Sequence, residues 1–215
     1  MTSAAAKLLT GLVLAGGRAE RMGGRDKGLL ALAGEPLVAH VVRGLRPQVA
    51  EVLISANRHL EDYRRLGCRV VEDEPRERYQ GPLAGILAAL RIVETPYLLT
   101  APCDSPFLPP DYARRMQEAL ERERASAAVV VFGGGWQPVF ALLPVELRDD
   151  LGVCLASGER NAGCWLRRHR PAAVEFFGGS LPFFQNINTP AELARLASVG
   201  LAAGQTALER AVKDG

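Results

Sequence analysis

Residues 14–27 read LAGGRAERMGGRDK. Gly16, Gly17, Gly23 and Gly24 let backbone amides turn toward an anion, and Arg18, Arg21, Arg25 and Lys27 add positive charge. Phosphate groups need both features. Arg outnumbers Lys 23 to 3 in this chain, which makes Lys27, a compact ammonium kept beside that loop, a residue to follow. The loop is not a Walker A sequence, because Asp26-Lys27-Gly28 stands where Gly-Lys-Ser/Thr is required. It is not G-x-G-x-x-G either, which disfavours a dinucleotide oxidoreductase. The plain alternative is a flexible glycine loop with solvated arginines, but ordered loops longer than about 12 residues are usually functional.

Further along, Asp104 directly follows an apolar run. A carboxylate there can hold Mg²⁺ against substrate phosphates, or it can form a turn with Ser105 and Pro106. Beside a phosphate loop the metal reading is the stronger. Asn57 and Asp73 follow two other apolar runs, and each could hydrogen-bond a base or ribose or cap a turn. Cys103 reads as a small buried residue, since no His lies near it in sequence. His40 and His59 read as structural or solvated, and His169, among Arg167, Arg168 and Arg170, as part of a basic surface face.

The elements that must position these residues follow from periodicity. Strands are expected at 9–14, 51–55, 69–72, 97–101, 127–132 and 136–142, with short strands at 173–177 and 183–187. Helices are expected after Pro36, near 60–66, from Pro82, and over 110–124, with mainly helical chain beyond Pro144. A final helix starts at Thr189, with Pro190 at its first position and Glu192 closing a capping box. Strands alternating with helices imply a mostly parallel, Rossmann-like α/β sheet with helices on both faces, and Gly133-Gly134-Gly135 adds an antiparallel hairpin. In such sheets ligands bind beyond the carboxyl ends of the strands, where Gly16, Gly17, Asn57, Asp73 and Asp104 all fall. A single domain is expected, with a nucleotide-binding half over 8–110, an acceptor-binding half over 111–200, and a frayed tail over 201–215.

Composition narrows the function classes. The chain has 215 residues, 48% hydrophobic and 23% charged, which is globular rather than disordered. A net charge of +2 provides no field for nucleic acid or anionic membrane. Four scattered cysteines form no C-x-x-C and, with three histidines, no zinc set, so a reducing cytoplasm is the default. No run approaches the roughly 18 apolar residues of a membrane span. The segment 8–16 could pass for a short signal-peptide core, but the dense charges that follow it fit a buried first strand and a loop better.

These segments resemble the molybdenum cofactor guanylyltransferases, within the wider nucleotidyltransferase-like group. The resemblance rests on Leu14-Ala15-Gly16-Gly17, Arg21-Met22-Gly23-Gly24 with Asp26-Lys27, Ala56-Asn57-Arg58, Glu72-Asp73, Gly81-Pro82-Leu83-Ala84-Gly85, Pro102-Cys103-Asp104 and Asn186-Ile187-Asn188-Thr189-Pro190. It implies a nucleotide-diphospho-sugar-transferase-like fold and transfer of GMP from GTP to molybdopterin, with release of pyrophosphate. It also implies Mg²⁺ as cofactor, held by Asp104. GTP would be bound by Leu14, Ala15, Gly16, Gly17, Lys27, Asn57, Asp73 and Asp104, with Lys27, Arg21 and Asp104 catalytic. Asn186, Asn188 and Arg160 would face molybdopterin. Molybdoenzyme apoproteins and cofactor-synthesis proteins are the implied protein partners. One departure stands at Gly158-Glu159-Arg160-Asn161, where Asn161 replaces a frequent second Arg. The alternatives are cytidylyl transfer to molybdopterin, transfer to a sugar phosphate, or a non-catalytic GTP- and molybdopterin-binding carrier.

Overall fold

A computed structural model describes residues 8–17, 26–177, 183–189 and 191–196. The strands are β1 (Leu9–Leu14), β2 (Ala31–Leu32), β3 (Glu35–Pro36), β4 (Glu51–Ser55), β5 (Arg69–Val71), β6 (Tyr97–Pro102), β7 (Ala128–Phe132), β8 (Gly135–Pro144) and β9 (Ala172–Glu175). The helices are α1 (Leu37–Leu45), α2 (Leu60–Arg64), α3 (Pro82–Leu90), α4 (Tyr112–Glu123), α5 (Arg148–Ala156) and α6 (Ala162–Arg168).

Seven strands form one sheet in the order β5-β4-β1-β6-β8-β7-β9. β5, β4, β1 and β6 are parallel, β8 runs against both β6 and β7, and β9 is parallel to β7. The sheet runs without a break through both expected halves of the chain. β1 is central and buried along almost its whole length, as an unbroken apolar run in a parallel sheet should be. One core, containing Val13, Val41, Ile54, Tyr112 and Phe140, lies under α1 and α4. A second, containing Leu12, Leu53, Leu87, Leu98 and Trp165, lies under α3, α5 and α6, and a small third gathers Leu32, Leu37, Ile187 and Leu196. Helices therefore cover both faces.

Local chemistry sets the element ends. α1 buries Leu37, Val38, Val41, Val42 and Leu45 and passes into a 3-10 turn, Arg46–Gln48, where Pro47 has no N–H to extend the helical ladder. Gly81, with φ of 85°, precedes Pro82 at the start of α3. Asn161 accepts the Cys164 N–H at 3.0 Å and caps α6, which gives the asparagine at that position a structural role.

The expected strands and helices appear, with ends that move by a few residues, apart from one stretch. Residues 183–187 are not a strand: they form a turn and an irregular segment. Phe184 sits in an aromatic cluster, 4.9 Å from Phe140 and 4.8 Å from Phe176 between ring centroids, with φ of 57°. The Ile187 N–H donates to the Asp104 carbonyl at 2.8 Å. The apolar residues there are anchors on the core, so their spacing imitates a strand without forming a ladder. The β2–β3 hairpin, turning at Ala33 and Gly34, was not foreseen; both turn residues have positive φ. The final helix keeps its capping box: Thr189 Oγ1 accepts the Glu192 N–H at 3.2 Å, and Glu192 Oε2 accepts the Thr189 N–H at 2.9 Å. Residues 191–196 are helical, while Pro190 and the tail over 201–215 lie outside the described residues. No helix among the described residues is long and apolar enough to cross a membrane.

Candidate active site

After β1 the chain crosses to β4 and β5 on one side, then returns to β6 on the other side of β1. Loops leaving β1 and β6 therefore diverge at their carboxyl ends, where a doubly wound sheet opens a crevice. A cleft of about 680 Å³ lies there. β1 contributes Leu14, Ala15, Gly16 and Gly17 to its wall, and β6 contributes Pro102, Cys103 and Asp104. Asp73 follows β5, and Gly81, Pro82 and Gly85 come from the start of α3.

Lys27 enters on a single 3-10 turn, Lys27–Leu29, capped by Asp26. Its Nζ donates to Asn188 Oδ1 at 2.8 Å and to Asp104 Oδ2 at 3.3 Å. The second contact is long for a charge-assisted bond. Asp104 Oδ1 is buried with no hydrogen-bond partner among the described residues. Burial pushes the Asp104 carboxyl upward, and Lys27 pulls it back only in part.

Asn57 does not reach toward the cleft. Its Nδ2 donates to Asp73 Oδ2 at 2.7 Å, and its Oδ1 accepts the Asp73 N–H at 3.0 Å. Asn57 thus sets Asp73, whose other oxygen is buried with no partner among the described residues. Burial pushes the Asp73 carboxyl upward, while the Asn57 amide and the Tyr79 backbone N–H favour its charged form.

Asn186 lines the cleft and accepts from Ser105 Oγ at 2.6 Å. Asn188 lies 161 residues from Lys27 in sequence yet bonds it directly. Arg160 is not among the cleft residues: its Nη1 donates to the Leu155 and Glu159 carbonyls at 2.8 and 2.7 Å. Arg21 lies outside the described residues. Cys103 is buried and its thiol is pushed upward by burial, as a structural residue should be.

His169 departs from its expected place on a basic surface. Its Nε2 meets Asp150 Oδ2 at 2.9 Å, and its ring packs edge-on to Trp165 at 5.2 Å. Trp165 Nε1 donates to the same Asp150 oxygen at 2.7 Å, so one carboxylate gathers both rings.

Sequence reasoning missed the support under Lys27. Tyr63 OH donates to Asp26 Oδ1 at 2.6 Å, and the Gly28 N–H donates to the same oxygen at 3.1 Å. Burial, then the neighbouring Cys103 and Asp26, push the Tyr63 phenol upward and keep its proton in place. The short helix around Tyr63 is mostly charged, and nothing in its spacing names Asp26 as partner. Val139 was also missed. It enters the cleft wall because β8 jumps register against β7, between Ala141 and Gln137, beside Pro138, which has no N–H to pair.

A mixed α/β sheet with a glycine turn, an ammonium and a buried carboxylate at its switch point defines the nucleotidyltransferase class of α/β proteins. Comparison with known proteins narrows it. The MobA-like NTP transferase domain family matches residues 11–173. A protein of Burkholderia ambifaria named molybdenum cofactor guanylyltransferase is 46% identical over 206 residues, covering 92% of this chain and 99% of that one. The solved molybdopterin-guanine dinucleotide biosynthesis protein A of Archaeoglobus fulgidus superposes with a TM-score of 0.71 at 24% identity, covering 90% of this chain and 99% of that one. A Mycobacterium tuberculosis protein solved in complex with manganese superposes with a TM-score of 0.65 at 18% identity, covering 89% and 99%. The chain belongs to the MobA-like NTP transferase family, and it is a nucleotidyltransferase enzyme.

Proposed function

We propose that this chain transfers GMP from GTP to the terminal phosphate of molybdopterin, yielding the guanine dinucleotide form of the cofactor and pyrophosphate. The observation that carries this reading is the meeting of Lys27, Asp104 and Asn188 at one point of the cleft, in a chain of this family. An acceptor phosphate oxygen attacks the α-phosphorus of GTP. The bond from that phosphorus to the bridging oxygen breaks, and pyrophosphate leaves with the electron pair. A phosphate monoester, with a second pKa near 6, is already largely ionised at neutral pH, so no general base is needed.

The obstacle is the approach of two anions. Lys27 supplies a positive charge where they meet, and Arg21 is assigned the same role. Leu14, Ala15, Gly16 and Gly17 form the wall along which the triphosphate lies. Asp73, held by Asn57, takes the nucleoside. Asn186 and Asn188 present amides to the acceptor, and Arg160, whose Nη1 is held by the Leu155 and Glu159 carbonyls, is assigned to it through its remaining donors. The nucleotide thus belongs to the 8–110 half and molybdopterin to the 111–200 half.

Asp104 is the residue that would hold Mg²⁺. Its buried Oδ1 lacks a partner, and the described residues contain no group of three or more His, Cys, Asp or Glu. That suits an ion held by one or two carboxylates together with substrate phosphates. When bound, Mg²⁺ would offset charge on the α-phosphate and the leaving pyrophosphate. The cytoplasm is the proposed location, since all four cysteines are free thiols. Molybdoenzyme apoproteins and cofactor-synthesis proteins are the proposed recipients and suppliers.

The test is pyrophosphate release measured with GTP, CTP and ATP against molybdopterin and a sugar phosphate, with Mg²⁺ present. Turnover is expected for GTP with molybdopterin alone. Turnover with CTP or a sugar phosphate would redirect the assignment, and GTP binding without release would make the chain a carrier. Asp104→Asn should lose the Mg²⁺ dependence; an unchanged Mg²⁺ midpoint would leave Asp104 as a turn residue.

A further inference from the structure

We infer that Ser105 is a positioning residue of the acceptor site: its buried hydroxyl holds the Asn186 carbonyl oxygen and so turns the NH2 group of that amide to the cleft, as a donor for the phosphate end of the acceptor. The inference rests on the acceptor reading above and adds which end of the amide, and which part of the acceptor, meet there.

Ser105 stands directly after Asp104 and is fully buried. Its Oγ donates to Asn186 Oδ1 at 2.6 Å, across 81 residues of sequence. Backbone bonds strap the same two segments together. The Ile187 N–H donates to the Asp104 carbonyl at 2.8 Å, and the Phe184 N–H to the Phe107 carbonyl at 3.4 Å. The strap alone would fix the chain and leave the amide free to turn. The hydroxyl decides its orientation. Were the amide reversed, its Nδ2 would donate to Ser105 Oγ, and the buried hydroxyl proton would lose the acceptor it has among the described residues. A buried donor without an acceptor is costly, so the carbonyl oxygen stays inward.

Asn188 is oriented by the same logic. Its Oδ1 accepts from Lys27 Nζ at 2.8 Å, and an ammonium can only donate, so its carbonyl end is committed as well. Both asparagines are exposed, and Asn186 lines the cleft. Each therefore offers a ligand its NH2 group, beside the ammonium of Lys27. The acceptor atoms at this point are those of Asp104, one bound to Lys27 and the other assigned to Mg²⁺. A row of donors suits a group built of acceptors, which an ionised phosphate monoester is. The edge of a pterin ring carries donors and acceptors in alternation and would call for both ends of an amide. The phosphate end of the acceptor is thus the part that these two asparagines meet.

Asn186→Asp tests the orientation. Its carboxylate accepts from Ser105 as the amide does, so the strap is kept, but an anionic oxygen replaces the NH2 group. The molybdopterin KM should rise about 10-fold to 100-fold, the worth of one hydrogen bond to a charged group, and by more than the GTP Kd. With the carbonyl end facing the ligand instead, the exchange would leave KM unchanged or lower it, and either result overturns the inference. Ser105→Ala tests the positioning. The molybdopterin KM should rise about 3-fold to 10-fold, the worth of one ordinary hydrogen bond, while the GTP Kd stays near the parent's. In an Asn186→Ala background the same change should add nothing to KM, because Ser105 acts through Asn186. A lower Tm with unchanged KM, or an equal rise in that background, would reduce Ser105 to a support for the strap and overturns the inference. Equilibrium titration with inorganic phosphate tests the ligand without turnover. Binding should weaken in Asn186→Asp, while a phosphate-free pterin binds variant and parent alike; a loss confined to the pterin overturns the phosphate assignment. A parent that transfers only to a sugar phosphate, or to nothing, sinks the proposed reaction, and the phosphate titration then still decides the inference.

Discussion

Lys27 meets a carboxylate from the middle of the chain and a side-chain amide from near its far end, and its side chain is only 23% exposed. A charge fixed in this way acts on phosphate without first having to be ordered. Lys27→Ala should lower turnover by about 100-fold or more, from the ~2.7–4 kcal/mol typical of losing one such donor. The core does not include Lys27, so the melting temperature should stay near the parent's. Turnover at the parental rate would remove Lys27 from the mechanism. Asp73 makes the opposite case, because it weakens the fold it serves. Its carboxylate is buried with one oxygen unpartnered, and burial raises its pKa above the unfolded value. The charged form therefore costs stability at neutral pH, and acidification through the raised pKa removes that cost. Asp73→Asn should stabilise the protein at pH 7–8 by about 1 kcal/mol, the low end for an unsatisfied buried group. For a chain of this size that is ~2–4 °C in Tm. The gain should shrink as pH falls, and nucleotide binding should weaken. A gain that is independent of pH, measured by melting curves across the acid range, would refute this account.

At the scale of elements, the short turn Lys27–Leu29 is placed by what lies beneath it. A Cβ on Gly28 would stand 2.6 Å from the Tyr63 hydroxyl and 3.3 Å from Cys103 Sγ. Tyr63 is fully buried, so its ring has nowhere to move. Gly28→Ala should thus cost about 1–3 kcal/mol as an overpacking change and lower turnover by shifting Lys27. In a Tyr63→Phe background the nearest clashing atom is gone, so the same change should cost less. Additive effects on Tm in the double variant would show that Gly28 and Tyr63 do not meet. A comparable close approach brings α3 against β4, where a Cβ on Gly85 would lie 2.3 Å from Ser55 Oγ. Small residues at these two contacts let backbone come close to the cleft.

At the scale of the molecule, the two ends of the chain form one site. Sequence separation suggests that changing Asn186 and Asn188 would leave GTP binding untouched, but the Lys27–Asn188 bond makes the opposite prediction. Asn186→Ala with Asn188→Ala should weaken molybdopterin binding and also weaken GTP binding on the order of tenfold, the worth of one hydrogen bond to a charged group. Titration of each ligand with a melting curve checks it. Unchanged GTP affinity in a folded double variant would mean that Lys27 is placed without Asn188.

The strands β1, β4 and β6 were legible because long apolar runs bounded by turn residues have few other solutions, and α1 and the capping box at Thr189 because their patterns are local. The positions of Gly16, Gly17, Lys27 and Asp104 at element ends were legible for the same reason, and the structure brings these four to one cleft. The Asn57–Asp73 pair, the Tyr63–Asp26 support and the Lys27–Asn188 contact were not. Each depends on side chains from separate elements. The segment 183–187 shows the limit from the other direction: its apolar Phe183, Phe184 and Ile187 read as a short strand, yet the aromatic cluster around Phe184 holds it as a turn and an irregular segment. Local sequence determined which elements form and which residues stand at their ends. Only the order of strands around β1 decided which of those ends face one another, because that order depends on the packing of both sheet faces at once.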